Sequence, residues 1–356
     1  MKKRLFSMLL VFALLLAGCA ATEEPRPTMG VIDDCPRGVK MYADTATIAV
    51  TGPLTQIYVL PLAGDMLVGV CNEFSDDAAK YLPEYLFEKT EIGQLYGGKG
   101  EMDLEALLAA APDVVIDIGE PKESLAGDMD TLTEQTGIPF YHIHATVKTA
   151  PDAYRKLGSI LNREEKAEEL ALWLENTYAM MEELMARVDA DGARKSVLYC
   201  LGDKGTNVIA QGSFHAETIN MMADNAAVIE DVVSKGTGNE VDLEQILLWN
   251  PDVLLFAPDS CYGEIAGSEQ WQSVPAVASG QYFKTPEGPY GWLSSPPGVQ
   301  RYLGMLWLGE LLYPEYTEYD LQEEVTAYYR MFYGCELTDQ MYQDLIRDAL
   351  PRSSRE

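Results

Sequence analysis

The sequence is short of basic residues and of long apolar runs. It carries 26 Lys and Arg against 56 Asp and Glu, a formal net charge of −30 at pH 7. Such an acidic chain is repelled by nucleic-acid phosphates and by anionic lipid headgroups, so no nucleic acid is expected as a partner. Beyond the first twenty residues, no apolar run is long enough to span a bilayer. The composition is typical of a soluble protein.

The signatures of common enzymes are missing as well. The sequence has no Gly-x-Ser-x-Gly elbow, no His-Glu-x-x-His helix and no phosphate loop that ends in Gly-Lys-Ser/Thr. Gly97-Gly-Lys-Gly100 is too short to be a nucleotide signature. The six cysteines are not spaced like a metal finger, and their pairing cannot be deduced. We therefore expect a binding protein and not an enzyme.

The first residues are typical of an export signal. Lys2, Lys3 and Arg4 precede an apolar run over residues 5–16, and Leu-Ala-Gly-Cys19 follows. The last four residues resemble a bacterial lipobox, so we expect a signal peptide over 1–18 and lipidation of Cys19. The protein would then be lipid-anchored at the cell surface or in the periplasm; a secretory signal with a chance cysteine is the alternative.

A twenty-residue stretch occurs twice, 139 positions apart. Residues 97–116 and 236–255 are identical at nine aligned positions. In each copy an Asp can cap a short helix, a Glu follows in its first turn, and Pro-Asp ends it before a buried β-branched strand. Two copies so far apart predict two similar α/β lobes with a ligand cleft between them.

The longest helical pattern covers residues 163 to about 188, midway between the two copies. At ~1.5 Å per residue it spans about 35–40 Å, enough to join two lobes; a surface helix of one lobe is the alternative. We expect a flexible, lipid-anchored tether over 19–45, an N-terminal α/β lobe over 46–162, a connecting helix over 163–190 and a C-terminal α/β lobe over 191–356.

Two finer expectations concern single segments. Residues 67–70 read as a strand of the first lobe. The tail from Asp320 onward is amphipathic and rich in aromatic residues, and we expect it to be helical and to pack on the second lobe.

With these features together, the chain resembles the solute-binding proteins of ABC importers that have a helical backbone. The likeness covers residues about 46 to 345, and it rests on the signal with Cys19, the two Leu-Glu…Pro-Asp-Val units and the long central helix. The segment that is similar to iron-complex binding members reads Gly288-Pro-Tyr-Gly-Trp292…Pro296-Pro297…Arg301-Tyr-Leu-Gly304…Trp307-Leu308…Leu312-Tyr313-Pro314-Glu315.

The resemblance implies an α/β fold of two Rossmann-like lobes with mostly parallel sheets, joined by one long backbone helix. It implies a monomer without a cofactor that captures a small-molecule metal complex, first of all an iron chelate such as a siderophore or haem. Delivery would be to an ABC permease and its ATPase. A bare transition metal or a molybdate-type oxyanion remains an alternative ligand, and a tetrapyrrole chelatase or a surface adhesin remains an alternative protein.

Ligands of open α/β sheets bind beyond the carboxyl ends of the strands. This rule selects most of the expected ligand residues: Thr51, Tyr96, Glu120, His144, Asp259, Tyr290 and Trp292. Phe214 and His215 are added because they lie in a Gly-Ser-Phe-His loop at the expected cleft side of the second lobe, and the resemblance adds Arg301. The rings of Tyr96 and Trp292 can stack on a flat ligand, and Arg301 can pair with a carboxylate, catecholate or oxyanion. Alternatively, Trp292 plugs its loop and Arg301 caps a surface carboxylate.

Histidine occurs only three times, and two of the three lie on one predicted strand. His142 and His144 are two positions apart, so their side chains face the same way, and His215 belongs to the second lobe. With a carboxylate from Asp259 or Glu120 they form the alternative set for a bare metal. A His142 packed against the sheet, with the others on the surface, is the simpler reading.

Docking to a permease needs charged residues on both lobes. The resemblance implies one glutamate on each lobe, and Glu123 and Glu217 lie nearest the matching places. Either can instead be an ordinary surface charge.

Overall fold

The structure is a computed structural model that describes residues 33–35, 37, 39, 42–96 and 101–351. The expected signal peptide, Cys19 and most of the expected tether lie outside the described residues. So do residues 97–100, which open the first repeat copy.

The N-terminal lobe is built on parallel strands β1 (Ile48–Val50), β2 (Val114–Gly119) and β3 (Phe140–His144), with β2 in the middle. Successive side chains point to opposite faces, and both faces are buried. A parallel sheet needs helices on both sides for this reason. The helices of the lobe are α1 (Pro53–Ala63), α2 (Leu104–Ala110), α3 (Leu125–Thr136) and α4 (Ala150–Leu161), with short 3₁₀ turns at Gly64–Met66, Asp76–Lys80 and Glu84–Glu88.

The strand expected at residues 67–70 forms only isolated bridges. Leu67 pairs with Ile48, whereas Val70 pairs with Glu91. The N–H of Val68 donates to Ile48 O and the N–H of Val70 donates to Thr90 O, so the segment changes partner halfway. Because of this switch no continuous ladder forms.

Residues ahead of the expected lobe boundary at 46 lie along β3. Asp34 N donates to His142 O at 3.0 Å, and His142 N donates to Asp33 Oδ1 at 3.1 Å. Lys156 on α4 also pairs with Asp34 at 2.6 Å. This part of the predicted tether therefore contacts the lobe.

The long helix α5 (Glu164–Ala190) joins the two lobes along one side. Its first half buries Leu170 and Leu174 in the core, and its second half buries Leu184 and Val188. That core also contains inward-facing residues of both sheets, so one continuous hydrophobic core spans the lobes. The predicted α/β fold with a helical backbone is confirmed.

The C-terminal lobe holds β4 (Ser196–Leu201), β5 (Asn207–Val208), β6 (Asp224–Asn225), β7 (Asn239–Glu240), β8 (Val253–Phe256) and β9 (Tyr282–Lys284). The described strands lie in the order β7-β5-β4-β8-β9, and β6 pairs with the start of β4. The β4–β8 and β8–β9 pairs are parallel, whereas β5 is antiparallel to both its neighbours.

The C-terminal lobe also contains seven described helices: α6 (Glu217–Met222), α7 (Leu243–Trp249), α8 (Tyr262–Ile265), α9 (Pro275–Ala278), α10 (Arg301–Leu312), α11 (Leu321–Tyr328) and α12 (Asp339–Ile346). Short 3₁₀ turns occur at Phe214–Ala216 and Trp271–Ser273, and a π-helical turn occurs at Tyr329–Tyr333.

The two repeat copies form the same substructure in the two lobes. Asp103 caps α2 by accepting from two backbone N–H groups at 2.9 Å, and Asp242 caps α7 by accepting from Gln245 N at 2.8 Å. After each helix, the Asp of the Pro-Asp pair accepts from the backbone at the start of the lobe's first strand: Asp113 from Thr47 N and Asp252 from Ser196 N. The identities at these positions therefore preserve local structure.

The tail packs on the second lobe, as expected from the sequence, since Trp307 Nε1 donates to Ala349 O and Lys284 N donates to Asp348 O, both at 2.8 Å. It also reaches the first lobe. The Tyr329 ring lies 5.4 Å from that of Tyr81, and the Phe332 ring lies 6.1 Å from that of Tyr154. Trp173 on α5 completes the aromatic layer, with its ring 5.6 Å from that of Phe332. These ring contacts join the tail to the first lobe and to the long helix, so the tail stabilises the junction.

Within the described part of the chain, no helix is both long and apolar enough to cross a membrane.

Candidate functional site

The junction between the lobes is organised around a buried arginine. Arg301, the first residue of α10, is 1% exposed. Its Nη1 donates to Glu217 Oε2 at 2.6 Å and to Phe214 O at 3.1 Å, and its Nε donates to Gly298 O at 3.2 Å. The guanidinium also stacks 4.8 Å above the Phe214 ring. The positive charge is thus balanced inside the protein.

The same junction ties the C-terminal lobe to a loop of the N-terminal lobe. Val147 follows β3, and its N–H donates to Glu217 Oε2 at 3.2 Å. The Val147 carbonyl accepts from the buried Tyr302 hydroxyl at 2.5 Å. Both polar groups of one N-terminal residue are therefore satisfied by side chains of the other lobe.

His215 lies beside this ion pair, in the turn that leads into α6. Ser213 holds the turn, since its hydroxyl accepts from His215 N at 3.2 Å. The Nδ1 atom is 2.6 Å from Ser294 Oγ, and no described residue hydrogen-bonds Nε2. Burial, and then the charge of Arg301, lowers the pKa of His215 from 6.5 to about 4. The imidazole is therefore neutral at physiological pH.

A second buried polar network lies inside the N-terminal lobe. His142 is buried, and its Nδ1 is 2.7 Å from Asp117 Oδ2 on the neighbouring strand. Thr51 donates its hydroxyl to the other oxygen of Asp117. The His142 Nε2 is buried and has no partner among the described residues. Thr51, which follows β1, and His142 on β3 are therefore both buried and held by Asp117 inside the N-terminal lobe.

Tyr96 is half-buried and is the last described residue before the first repeat copy. Its hydroxyl donates to Asp128 Oδ2 at 3.1 Å, and Lys122 Nζ lies 3.5 Å from the ring centroid. Burial, together with the Asp128 carboxylate, raises the pKa of Tyr96. One face of this expected stacking ring is therefore covered by a lysine.

The remaining expected ligand residues divide into exposed and buried ones. The exposed side chains all lie at or after the carboxyl ends of strands, as the rule used for the sequence requires: Glu120, His144 and Asp259. Trp292 is 0% exposed, as expected if it plugs its loop, and a Cβ at Gly304 on α10 would clash with its carbonyl oxygen. Tyr290 is half-buried, with its ring 6.3 Å from that of Tyr333 in the tail.

The three histidines do not meet. His142 is bound to Asp117 in one lobe, His144 is exposed at the end of β3, and His215 is bound to Ser294 in the other lobe. In the described ranges, no group of three His, Cys, Asp or Glu side chains is arranged to hold a metal ion. The five described cysteines, which exclude Cys19, are all free thiols.

The two glutamates expected to dock on the permease differ in environment. Glu123 is exposed ahead of α3. The side chain of Glu217 is 27% exposed and is engaged by Arg301 and Val147. Its carboxylate therefore stabilises the junction between the lobes by hydrogen bonding to both of them.

Several residues that shape the site were not selected from the sequence. Asp117 had a signal, because it is the one charged side chain in the buried run of β2. Ser294 and Tyr302 had no signal in the sequence, because their roles depend on contacts with residues that are distant along the chain, His215 and Val147. Gly236, the first residue of the second repeat copy, passes close to the histidine: a Cβ there would lie 3.4 Å from His215 Cε1.

A cavity of 390 Å³ opens between the lobes near the tail. One wall is the 3₁₀ turn with Asp77 and Tyr81, and the other is the loop with Glu287 and the end of α12 with Leu345. The expected ligand residues lie outside its lining.

Comparison with known proteins places the chain among transport proteins. The family model described as periplasmic binding protein matches residues 62–289. The structure is similar to an ABC transporter solute binding protein from Sulfurospirillum deleyianum, with 25% identity, a TM-score of 0.80, and 90% of this chain and 99% of that chain covered. A search of curated proteins found no match.

Two further solved structures share the fold at lower identity. One is the molybdate periplasmic binding protein MolA of Haemophilus influenzae, bound to molybdate, with 20% identity, a TM-score of 0.67, and 88% of this chain and 99% of that chain covered. The other is the iron uptake ABC transporter substrate-binding protein PiuA of Streptococcus pneumoniae, with 16% identity, a TM-score of 0.55, and 80% and 99% covered.

Proposed function

We propose that the chain, which belongs to the periplasmic binding protein family and is the extracytoplasmic solute-binding component of an ABC transporter, captures an iron chelate between its lobes. Its partners are the permease and the ATPase of that transporter. Members of this family are transport proteins, so the chain is not an enzyme and the chelatase hypothesis is excluded.

The observation that carries the iron-chelate proposal is the state of His215. Its ring is neutral, its Nδ1 faces a serine hydroxyl, and its Nε2 has no bond to a described residue. When Nδ1–H donates to Ser294 Oγ, Nε2 is left with a free lone pair. Metal-binding histidines show this arrangement, because the hydrogen bond of the second nitrogen fixes the tautomer and the ring orientation.

A single imidazole suits a chelated metal better than a bare one. A bare transition-metal ion needs about four protein ligands, whereas a chelate brings most of its own donors and leaves one or two positions open. Arg301 is neutralised by Glu217, so it offers no free charge to an oxyanion. PiuA, the iron uptake protein with this fold, is consistent with the proposal, and molybdate remains the second ligand to test because of MolA.

The test is a thermal-shift panel on the mature, metal-stripped protein. Its ligands are ferric catecholates and hydroxamates, haem, cobalamin, molybdate and divalent metals. A ligand at a hundred times its Kd stabilises the folded protein by about 2.7 kcal/mol. We expect a shift with a ferric chelate and none with the free ion, and a shift with molybdate or a free divalent metal alone would contradict the proposal.

The membrane attachment is the second element of the proposal. The lipobox-like Leu-Ala-Gly-Cys19 supports lipidation of Cys19 and a lipid-anchored location outside the cytoplasm. Replacement of the cysteine by serine is expected to move the protein from the membrane fraction to the soluble fraction. A protein that stays in the membrane fraction after Cys19→Ser would contradict the anchor.

We propose that the two repeat copies carry the docking residues, in place of the pair Glu123 and Glu217 expected from the sequence. Glu105 and Glu244 are aligned, identical and exposed, each in the first turn of its helix, and neither forms a salt bridge with another described residue. Their stabilisation of the helix dipole is modest. A matched pair of carboxylates, one on each lobe, suits a basic permease surface, and Glu123 remains a further candidate.

Charge reversal tests this assignment. In the Glu105→Lys/Glu244→Lys variant, uptake through the reconstituted transporter should fall about tenfold or more while ligand affinity is retained. The control is Glu134→Lys/Glu264→Lys, which makes the same charge change at exposed sites of the two lobes. Equal uptake by the two variants would remove the docking role.

A further inference from the structure

Two exposed leucines occupy the same position in the two repeat copies. Leu108 on α2 and Leu247 on α7 are aligned and identical, and they are 47% and 36% exposed. Leu104 and Leu243, four positions earlier in the same helices, are instead partly buried and pack against the hydrophobic cores. Because apolar stabilisation follows the area that is buried, an outward leucine adds little to its own lobe.

The shared aspartates of the repeat, by contrast, have explanations inside each lobe. They cap the helices and anchor the first strands. The fully buried position of the helix is not shared, since it is Leu107 in the first copy and Ile246 in the second. The core position therefore differs between the copies while the exposed position is the same. An apolar identity at the surface points to a contact with another molecule.

Each leucine lies on the same helical face as a glutamate of the proposed docking pair. Glu105 precedes Leu108 by three positions, and Glu244 precedes Leu247 by the same number. Residues three apart are neighbours on the surface of a helix. Both glutamates are exposed. Each lobe thus presents one carboxylate beside one apolar side chain, in the same order along the helix.

We propose that Leu108 and Leu247 are apolar contact points for the permease, one on each lobe, each fitting an apolar recess beside the basic group that receives the neighbouring glutamate. This inference rests on the proposed docking role of the two repeat copies, and it adds to that role a contact that does not depend on charge. Leu248, which is 79% exposed, follows Leu247 and enlarges the apolar area on the second lobe.

The charge around the two leucines favours a basic protein surface as the partner. The chain carries a formal net charge of −30, so a second copy of it and an anionic lipid surface are both repelled. A basic surface is attracted by the glutamates, and burial of the leucines then stabilises the complex through the hydrophobic effect. Because the two lobes offer the same pair of side chains, we expect the permease to present its matching surface twice.

The experiment measures binding of the ligand-free mature protein to the cognate permease–ATPase complex in lipid nanodiscs, at about 0.05 M and about 0.5 M NaCl. Leu108→Gln/Leu247→Gln keeps side-chain length and helix propensity, and it should bind about tenfold more weakly at both salt concentrations. Each single variant should lose about threefold, since distant sites add. The loss in Glu105→Lys/Glu244→Lys should instead shrink at the higher salt, because exposed charges are screened.

The control is Leu172→Gln/Val228→Gln, which removes two exposed apolar side chains outside the repeat. These residues are 47% and 66% exposed, so the control matches the exposure of the leucines that are tested. It should bind the nanodiscs like the wild type. Urea unfolding of every variant shows whether it is folded, and we expect the midpoint of the leucine double variant to stay close to that of the control.

The outcomes separate this inference from the proposed docking role. If the leucine variant binds like the control while the glutamate variant binds more weakly, the docking role stands and the apolar contact is wrong. If the leucine variant alone loses affinity, the apolar contact stands and the role of the glutamates is wrong. No binding by the wild type, or equal binding by all variants, overturns both. A wild type that dimerises in solution through these leucines would assign the face to a second copy and overturn the proposal.

Discussion

The low pKa of His215 makes the stability of the protein depend on pH in a defined way. In the unfolded chain the imidazole titrates near 6.5, and in the folded protein it titrates near 4. Between these values the unfolded state binds more protons, so the free energy of unfolding falls as the pH is lowered from 6.5 to 4. At about 1.4 kcal/mol for each pKa unit, His215 alone accounts for a loss of about 3 kcal/mol.

The assay is urea unfolding of the mature protein at a series of pH values between 7 and 4, for the wild type and for His215→Asn. Asparagine can keep a donor near Ser294 Oγ but does not titrate. The carboxylates that also titrate in this range are common to both proteins, so the difference between the two curves isolates His215. We expect the wild type to lose about 3 kcal/mol more than the variant over this range. A difference that stays constant from pH 7 to pH 4 would refute the buried, neutral histidine.

Three further predictions concern stability and are checked by the same denaturation assay. Tyr302→Phe leaves the buried carbonyl of Val147 without its donor and should cost about 1–3 kcal/mol; a cost below about 0.5 kcal/mol would contradict the tie between the lobes. Asp242→Ala removes the cap of α7 and should cost about 1 kcal/mol, and Asp103→Ala should cost as much if the two copies are equivalent; a neutral change would contradict the capping role. Trp292→Ala empties a fully buried site and should cost about 3–5 kcal/mol, whereas a small cost with a large loss of ligand affinity would show that the ring contacts the ligand instead.

The architecture could be predicted from the sequence because the residues that determine each helix and strand lie close together along the chain. An Asp before a short helix and a Pro-Asp before a β-branched run occur in both repeat copies. The structure uses Asp103 and Asp242 as caps, and Asp113 and Asp252 as anchors for the first strands. The long helical pattern likewise became α5, over Glu164–Ala190.

The prediction of the short strand was wrong, and the contact of the tail with the first lobe was missed, for a common reason. Residues 67–70 would form a strand only if one neighbouring segment accepted all of their backbone hydrogen bonds. Instead Val68 N donates to Ile48 O and Val70 N donates to Thr90 O, in two different segments. The contacts of Tyr329 and Phe332 with the first lobe depend on aromatic partners that are distant along the chain, Tyr81 and Tyr154. Local pattern carries neither kind of information.

The contacts of side chains in the candidate site could not be predicted from the sequence either, because they also join distant segments. The loop position of Phe214 and His215 in the second lobe marks them as candidates, but the sequence does not show which polar groups are already satisfied inside the protein. Arg301 looks like a ligand residue until its donors are traced to Phe214, Gly298 and Glu217. The pairing of Asp117 with His142 needs the register of β2 against β3, which sets these two residues side by side.

The central claim is that His215 donates to the metal of an iron chelate. It is tested most directly by titrating the wild type and His215→Ala with two ferric complexes, one whose chelator supplies four donors and one whose chelator supplies six, and by following the charge-transfer absorption. We expect the wild type to bind the four-donor complex more tightly and with a shifted band. His215→Ala should lose the shift and about tenfold or more in affinity, which corresponds to about 1.4 kcal/mol. An unshifted band together with equal Kd values for the two proteins would contradict the account.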